Sequence, residues 1–184
     1  MDKTEAKKFA IVGTSLTRRA QLFEQVKGLY AKDPWAFFVP DVGEPYLATR
    51  PAQRSLLGPR VGRELQDLML RNEQIAHDAG ATTIVTDGSV LDSAMRRGDH
   101  RNELFTMELI NRVADWLQTY THMLVVQPTP RPNAENGDIL IPVAMRPYMH
   151  RALLDILSGL KIPHTILQGD ADERFMTARR IIGK

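Results

Sequence analysis

The sequence contains no cysteine among its 184 residues, which excludes disulfides, thiolate zinc sites and cysteine nucleophiles. It also lacks a long apolar run. The amino-terminal "MDKTEAKKFAIVG" offers about five consecutive apolar residues before Thr14, against the ~20 a membrane-spanning helix needs. No GxSxG elbow occurs, so a hydrolase triad has no support, and the five histidines are dispersed without an HxxxH or HExxH spacing. Neither sign of charge dominates, with 24 Lys and Arg against 22 Asp and Glu, and a net charge of +2 gives only weak support for a nucleic-acid partner. These absences point to a soluble, cytoplasmic chain without membrane association. Oligomeric state is left open.

What is present is ordinary globular material, 43% apolar and 25% charged, in a length that fits one domain spanning residues 1–184. Short apolar runs alternate with segments of helical periodicity. "KFAIVGT" (8–14) predicts a strand ending in Gly13, and residues 17–30 place Ala20, Phe23, Val26 and Tyr30 at helical spacing. "AFFVP" (36–40) is a second strand, followed by an irregular stretch over 43–59, and residues 60–79 form an amphipathic helix stopped by Gly80. "TTIVTDGS" (82–89) is a third strand, 102–120 a helix, and "HMLVVQP" (122–128) a fourth strand. The Pro-rich 128–146 reads as a loop or lid, 147–160 as a helix with Pro147 in its first turn, 163–169 as a fifth strand, and 170–182 as a helix capped by Asp170.

Near-continuous apolar strands separated by helices imply a parallel sheet covered on both faces, an α/β three-layer sandwich. Ligands of such folds bind beyond the carboxyl ends of the strands, where Gly13, Asp41, Asp87, Gln127 and Gly169 gather.

"GTSLTRRA" (13–20) keeps the strand–turn–helix setting and the spacing of a phosphate-binding GxxxxGK loop. Such a loop surrounds an anion with backbone N–H groups and a helix N-terminus, while Lys neutralises the phosphoryl group and Ser or Thr binds magnesium. Here Arg18 takes the glycine place, Arg19 the lysine place and Ala20 the place of the metal-binding hydroxyl. Two readings of these residues stand: a phosphate loop with altered chemistry, or an ordinary turn in which Thr17 caps a helix and both arginines are solvated. Asp87, ending the third strand, is placed like the acidic residue that reaches a magnesium shell, and equally like a turn or cap residue. Arg60, Arg63 and Arg71 read by default as a solvated helix face.

In the order "FAIVGTSLTRRA", "FFVPDVGEPYL", "IVTDGSVLD", "MLVVQPTPRP" and "ILQGDADER", nearly the whole chain resembles the P-loop nucleoside and nucleotide kinases, of the nicotinamide riboside kinase and thymidylate kinase type and their small ATPase-like relatives. The resemblance implies a five-stranded parallel sheet of order 2-3-1-4-5 and a lid near 128–146. It implies ATP or another nucleotide as ligand, with magnesium reached through Asp87. Gly13, Thr14, Ser15, Thr17, Arg18 and Arg19 would face the phosphates, joined by Arg131, Arg151 and Arg174. Asp41 would stand against the acceptor hydroxyl as general base, Asp87 would serve the metal, and Arg146 would stabilise charge on the transferring group. Glu44 stands near the place where relatives carry an arginine. Three functions follow: a degenerate P-loop protein that binds a phosphorylated ligand with weak or absent transfer, an active nucleoside or nucleotide kinase, or a non-catalytic scaffold.

Overall fold

The computed structural model describes residues 6–13, 18–49, 59–95, 103–128 and 146–183. Five strands, β1 (Lys7–Val12), β2 (Ala36–Val39), β3 (Thr83–Asp87), β4 (His122–Val126) and β5 (His164–Leu167), form one all-parallel sheet in the order β2-β3-β1-β4-β5. The expected strand order is therefore the observed one. Register is set by pairs such as Ile11 with Asp87, Val39 with Thr86, Val12 with Val125 and Val126 with Leu167. The carboxyl ends of all five strands consequently meet along one edge.

Successive strand residues point to opposite faces, and both faces are apolar. Phe9, Ile11, Val85, Leu124, Val126 and Leu167 pack against helices α1 (Arg19–Leu29) and α8 (Ala171–Ile182) through Phe23, Val26 and Ala178. On the other face Ala10, Val12, Ile84, Met123 and Val125 meet Met69, Leu109, Leu153 and Leu157. Those partners come from α3 (Pro59–Asp78), α5 (Glu103–Arg112) and α7 (Arg146–Gly159). Ile11 and Leu124 are completely buried, each contributing about 1.5–3 kcal/mol by removal from water.

Two differences from the sequence expectation have local causes. Residues 43–48 form a short helix, α2 (Gly43–Ala48), where an irregular stretch is expected. The Asp41 carboxylate accepts the Gly43 N–H at 2.9 Å and so starts the turn, and Pro45 near the helix start loses no intrahelical bond. The helix expected over 102–120 is divided into α5 and α6 (Ala114–Leu117), because Val113 has φ −114° and ψ 8° and leaves the helical region. A further short helix, α4 (Asp92–Met95), follows β3. Asp170 caps α8 as expected, accepting the Asp172 and Glu173 N–H groups, while Glu173 returns a bond to the Asp170 N–H. No described helix is long and apolar enough to cross a membrane.

Candidate functional site

The β1–α1 turn begins at Gly13 and re-enters the described structure at Arg18. Arg18 is the N-cap of α1 with φ 59° and ψ 28°, and its own side chain makes no capping hydrogen bond. Its left-handed backbone is what glycine adopts freely and an L-residue adopts at a cost of about 1–2 kcal/mol. At this one position the backbone has the shape that a glycine would serve. Of the residues assigned to phosphate from sequence, Thr14, Ser15, Thr17 and Arg131 lie outside the described residues, and with them the expected Thr17 cap.

Arg19, first residue of α1, directs its guanidinium at three carboxylates. Nε donates to Asp87 Oδ1 at 2.5 Å, Nη1 to Asp92 Oδ2, and Nη2 lies 3.3 Å from Asp41 Oδ2. Each acid comes from a different element: Asp41 follows β2, Asp87 ends β3 and Asp92 starts α4. Two of them are fixed by backbone donors on the other oxygen, Asp41 by Gly43 and Asp92 by the Ser89 N–H at 2.9 Å. Gly88 completes the seat with φ 95°. A Cβ there would stand 2.8 Å from Asp92 Oδ2 and 3.3 Å from Arg19 Nη1, so glycine is required both for backbone shape and for space.

Burial disfavours a charged Arg19, but the carboxylates of Asp92, Asp87 and Asp41 outweigh it and raise its pKa further above the ordinary arginine value. Asp87 is pushed up by burial, an effect that Arg19 opposes and that Asp41 and Asp92 reinforce. Beside this cluster a cavity of about 20 Å³ is lined by Asp41, Gly43, Gln66, Asp87, Ser89 and Asp92. That volume holds about one water, far below the ~300 Å³ of a small-molecule pocket. Gln66 is held rigid at its rim, donating to Val90 O at 3.1 Å and Leu109 O at 2.9 Å.

A second group of charges flanks the same end of the sheet. Arg174 of α8 is buried and donates from Nη2 to Gln127 O at 3.2 Å. Burial lowers its pKa, the positive charge of Arg18 adds to that in smaller measure, and Asp170 opposes both. Arg146, only 2% exposed, has no hydrogen-bond partner for Nε or Nη2 among the described residues. Arg151 is exposed. Among the described residues, no hydrogen bond or ion pair joins Arg146 or Arg151 to the Arg19 cluster. On α3, Arg60 pairs with Glu64 at 2.8 Å and Arg63 with Glu108 at 2.5 Å, which agrees with a solvated face.

Asp92 and Gln66 are the residues that sequence reasoning missed. The available signal for Asp92 was its place in "TDGSVLD", where Gly88 lets the chain turn an acid back beside Asp87. Magnesium does not fit the arrangement as it stands. Ala20 offers no ligand, Asp87 is engaged by Arg19, and the described residues contain no group of three acidic or histidine side chains arranged to hold a metal ion.

No family model and no curated protein matches the chain. Solved structures do. The NadR protein in complex with NR aligns with a TM-score of 0.71 and 13% identity over 99% of this chain and 53% of its own. Deoxyadenosine kinase from M. mycoides with bound dATP aligns with a TM-score of 0.62 and 13% identity, over 97% of this chain and 100% of its own. NadR in complex with NAD and AMP-PNP gives 0.69 and 14%, over 99% and 51%. The chain thus spans about half the length of NadR and all but a few per cent of its length aligns with the deoxyadenosine kinase. At this identity the likeness speaks for architecture alone: the chain shares its five-stranded parallel α/β fold with NadR and the deoxyadenosine kinase.

Proposed function

We propose that this protein binds a nucleotide or another phosphorylated ligand at the β1–α1 turn and transfers phosphoryl groups weakly or not at all. The observation that carries this reading is the engagement of Arg19. In the lysine place of a phosphate loop stands a side chain whose Nε and Nη nitrogens are turned onto Asp41, Asp87 and Asp92. A guanidinium so occupied does not lend its charge to a transferring phosphoryl group, and Ala20 adds no metal ligand. Binding is supported by different features: the left-handed residue Arg18, the N-terminus of α1, and Arg174, whose guanidinium stands against Gln127 O at the end of β4. The Pro-rich 128–146, with Arg131, serves as a lid over the ligand in a single domain of residues 1–184. Arg146 and Arg151 follow it on α7.

Thermal shift with ATP, GTP, NAD and inorganic phosphate tests the reading. A ligand at 100 times its dissociation constant adds ~2.7 kcal/mol, a rise in Tm of about 5–10 °C for a chain of this size. Arg19→Lys combined with Ala20→Thr should then increase ATP turnover from a low base. Absence of any shift would favour the scaffold, and turnover in the parent chain that Arg19→Ala abolishes would establish the active kinase.

A further inference from the structure

Four features of the carboxyl edge concern a cation. Three carboxylates from three separate elements reach one guanidinium, and around it they are not spaced to hold a metal ion. That guanidinium belongs to Arg19, whose side chain is 12% exposed. Gly88 leaves the space that this group and Asp92 use, so the β3–α4 turn is shaped around the pair. Ala20, next in sequence, has no oxygen with which to complete a metal shell. A guanidinium carries one positive charge where a divalent metal would carry two, and its donors reach all three acids without any metal–oxygen bond.

We propose that Arg19 is the resident cation of this site and stands in for the divalent metal, so that a phosphorylated ligand binds here independently of Mg²⁺. The proposal rests on the phosphate-binding reading above. Its ligand class is polyphosphate in the metal-free form, with charge met by Arg18, Arg174 and the amino end of α1. Asp87 Oδ1, already engaged by Arg19 Nε at 2.5 Å, is not open to a metal ion while that contact stands.

Two measurements decide it. Calorimetric titration with ATP is run once in EDTA and once in excess Mg²⁺. Dissociation constants that agree within about threefold support the proposal. Binding that needs Mg²⁺, or tightens tenfold or more with it, overturns the proposal while leaving phosphate binding intact. No binding in either buffer overturns both. In the second measurement Mn²⁺ is titrated and followed by electron paramagnetic resonance, without ATP. The parent chain should show no tight Mn²⁺ site, Arg19→Ala should acquire one, and Arg19→Ala with Asp87→Asn should lose it again. Equal Mn²⁺ affinity in parent and Arg19→Ala would overturn the proposal. The ATP titration uses the parent chain alone and decides the matter even if Arg19→Ala fails to fold.

Discussion

The two ends of the sheet each bury a cation against carboxylate, and they do it differently. At the amino end Lys8 of β1 reaches Glu73 of α3 at 2.8 Å, with side chains 7% and 0% exposed. Trp116 Nε1 donates to Glu73 Oε2 at 2.8 Å, the Tyr120 hydroxyl donates to Oε1 at 2.6 Å, and the Lys8 ammonium lies 4.2 Å from the centres of both rings. One charge meets one charge, and aromatic groups close the remainder. At the carboxyl end one guanidinium meets three acids, a formal excess of negative charge beside a cleft and a glycine turn. A balanced, sealed pair has no further partner to accept. An unbalanced one does, and that distinction sets the site of the proposed ligand apart from the sealed pair.

The comparison can be broken most sharply at Glu73. Glu73→Ala leaves Lys8 buried without its counter-charge, and denaturant unfolding should show a loss of about 3–5 kcal/mol. Glu73→Gln, whose oxygen still accepts from Trp116 and whose amide N–H can donate to the Tyr120 hydroxyl, should lose less. Arg19→Ala should cost about 1–3 kcal/mol, since its acids border a cleft where water and protons reach them. A loss equal to that of Glu73→Ala would mean that the two ends do the same structural work.

The Arg19→Ala loss should also shrink on acidification. Asp87 already sits above 3.8 in the folded protein, so its contribution is fully present below 3.8 and is lost as pH rises through its folded value. Removing Arg19 removes the one influence that holds that value down, and unfolding curves at pH 4 and pH 7 would reveal the wider window.

A smaller and opposite effect is expected at Arg18. Glycine would relieve about 1–2 kcal/mol of left-handed strain and return about 0.5–1 in chain entropy, so Arg18→Gly should stabilise by about 0.5–1 kcal/mol. Arg18→Ala should not. The smallest effect belongs to His122 and His150, both lowered below 6.5, chiefly by burial. The unfolded chain binds their protons more readily, so stability should fall as pH drops from 6.5 through the folded values. His122→Gln should flatten that part of a plot of Tm against pH.

The parallel sheet was legible because each strand is a short apolar run and each crossover a helical period, whereas its strand order followed from the resemblance to the P-loop kinases and not from any local pattern. Helix α2 was not legible, because six residues carry too little periodicity, and its start depends on a carboxylate bond from Asp41. The break at Val113 was invisible for a related reason: the apolar spacing continues across it while the backbone does not. Arg19, Asp41 and Asp87 could be named from motif spacing, but their mutual contact could not. Arg19 and Asp87 are 68 positions apart and Arg19 and Asp92 are 73 apart, distances over which local pattern carries no information. Lys8 and Glu73 escaped notice altogether, since a lysine beginning a strand looks solvated until an aromatic pair is folded over it.

The sequence by itself determined the layers and the parallel pairing of the strands, since periodicity is a local property that each segment carries with it. Only the tertiary structure decided what the arginine in the lysine place does. Its charge could face an anion or a carboxylate, and the choice was made by three acids that distant segments bring within hydrogen-bond reach of one guanidinium.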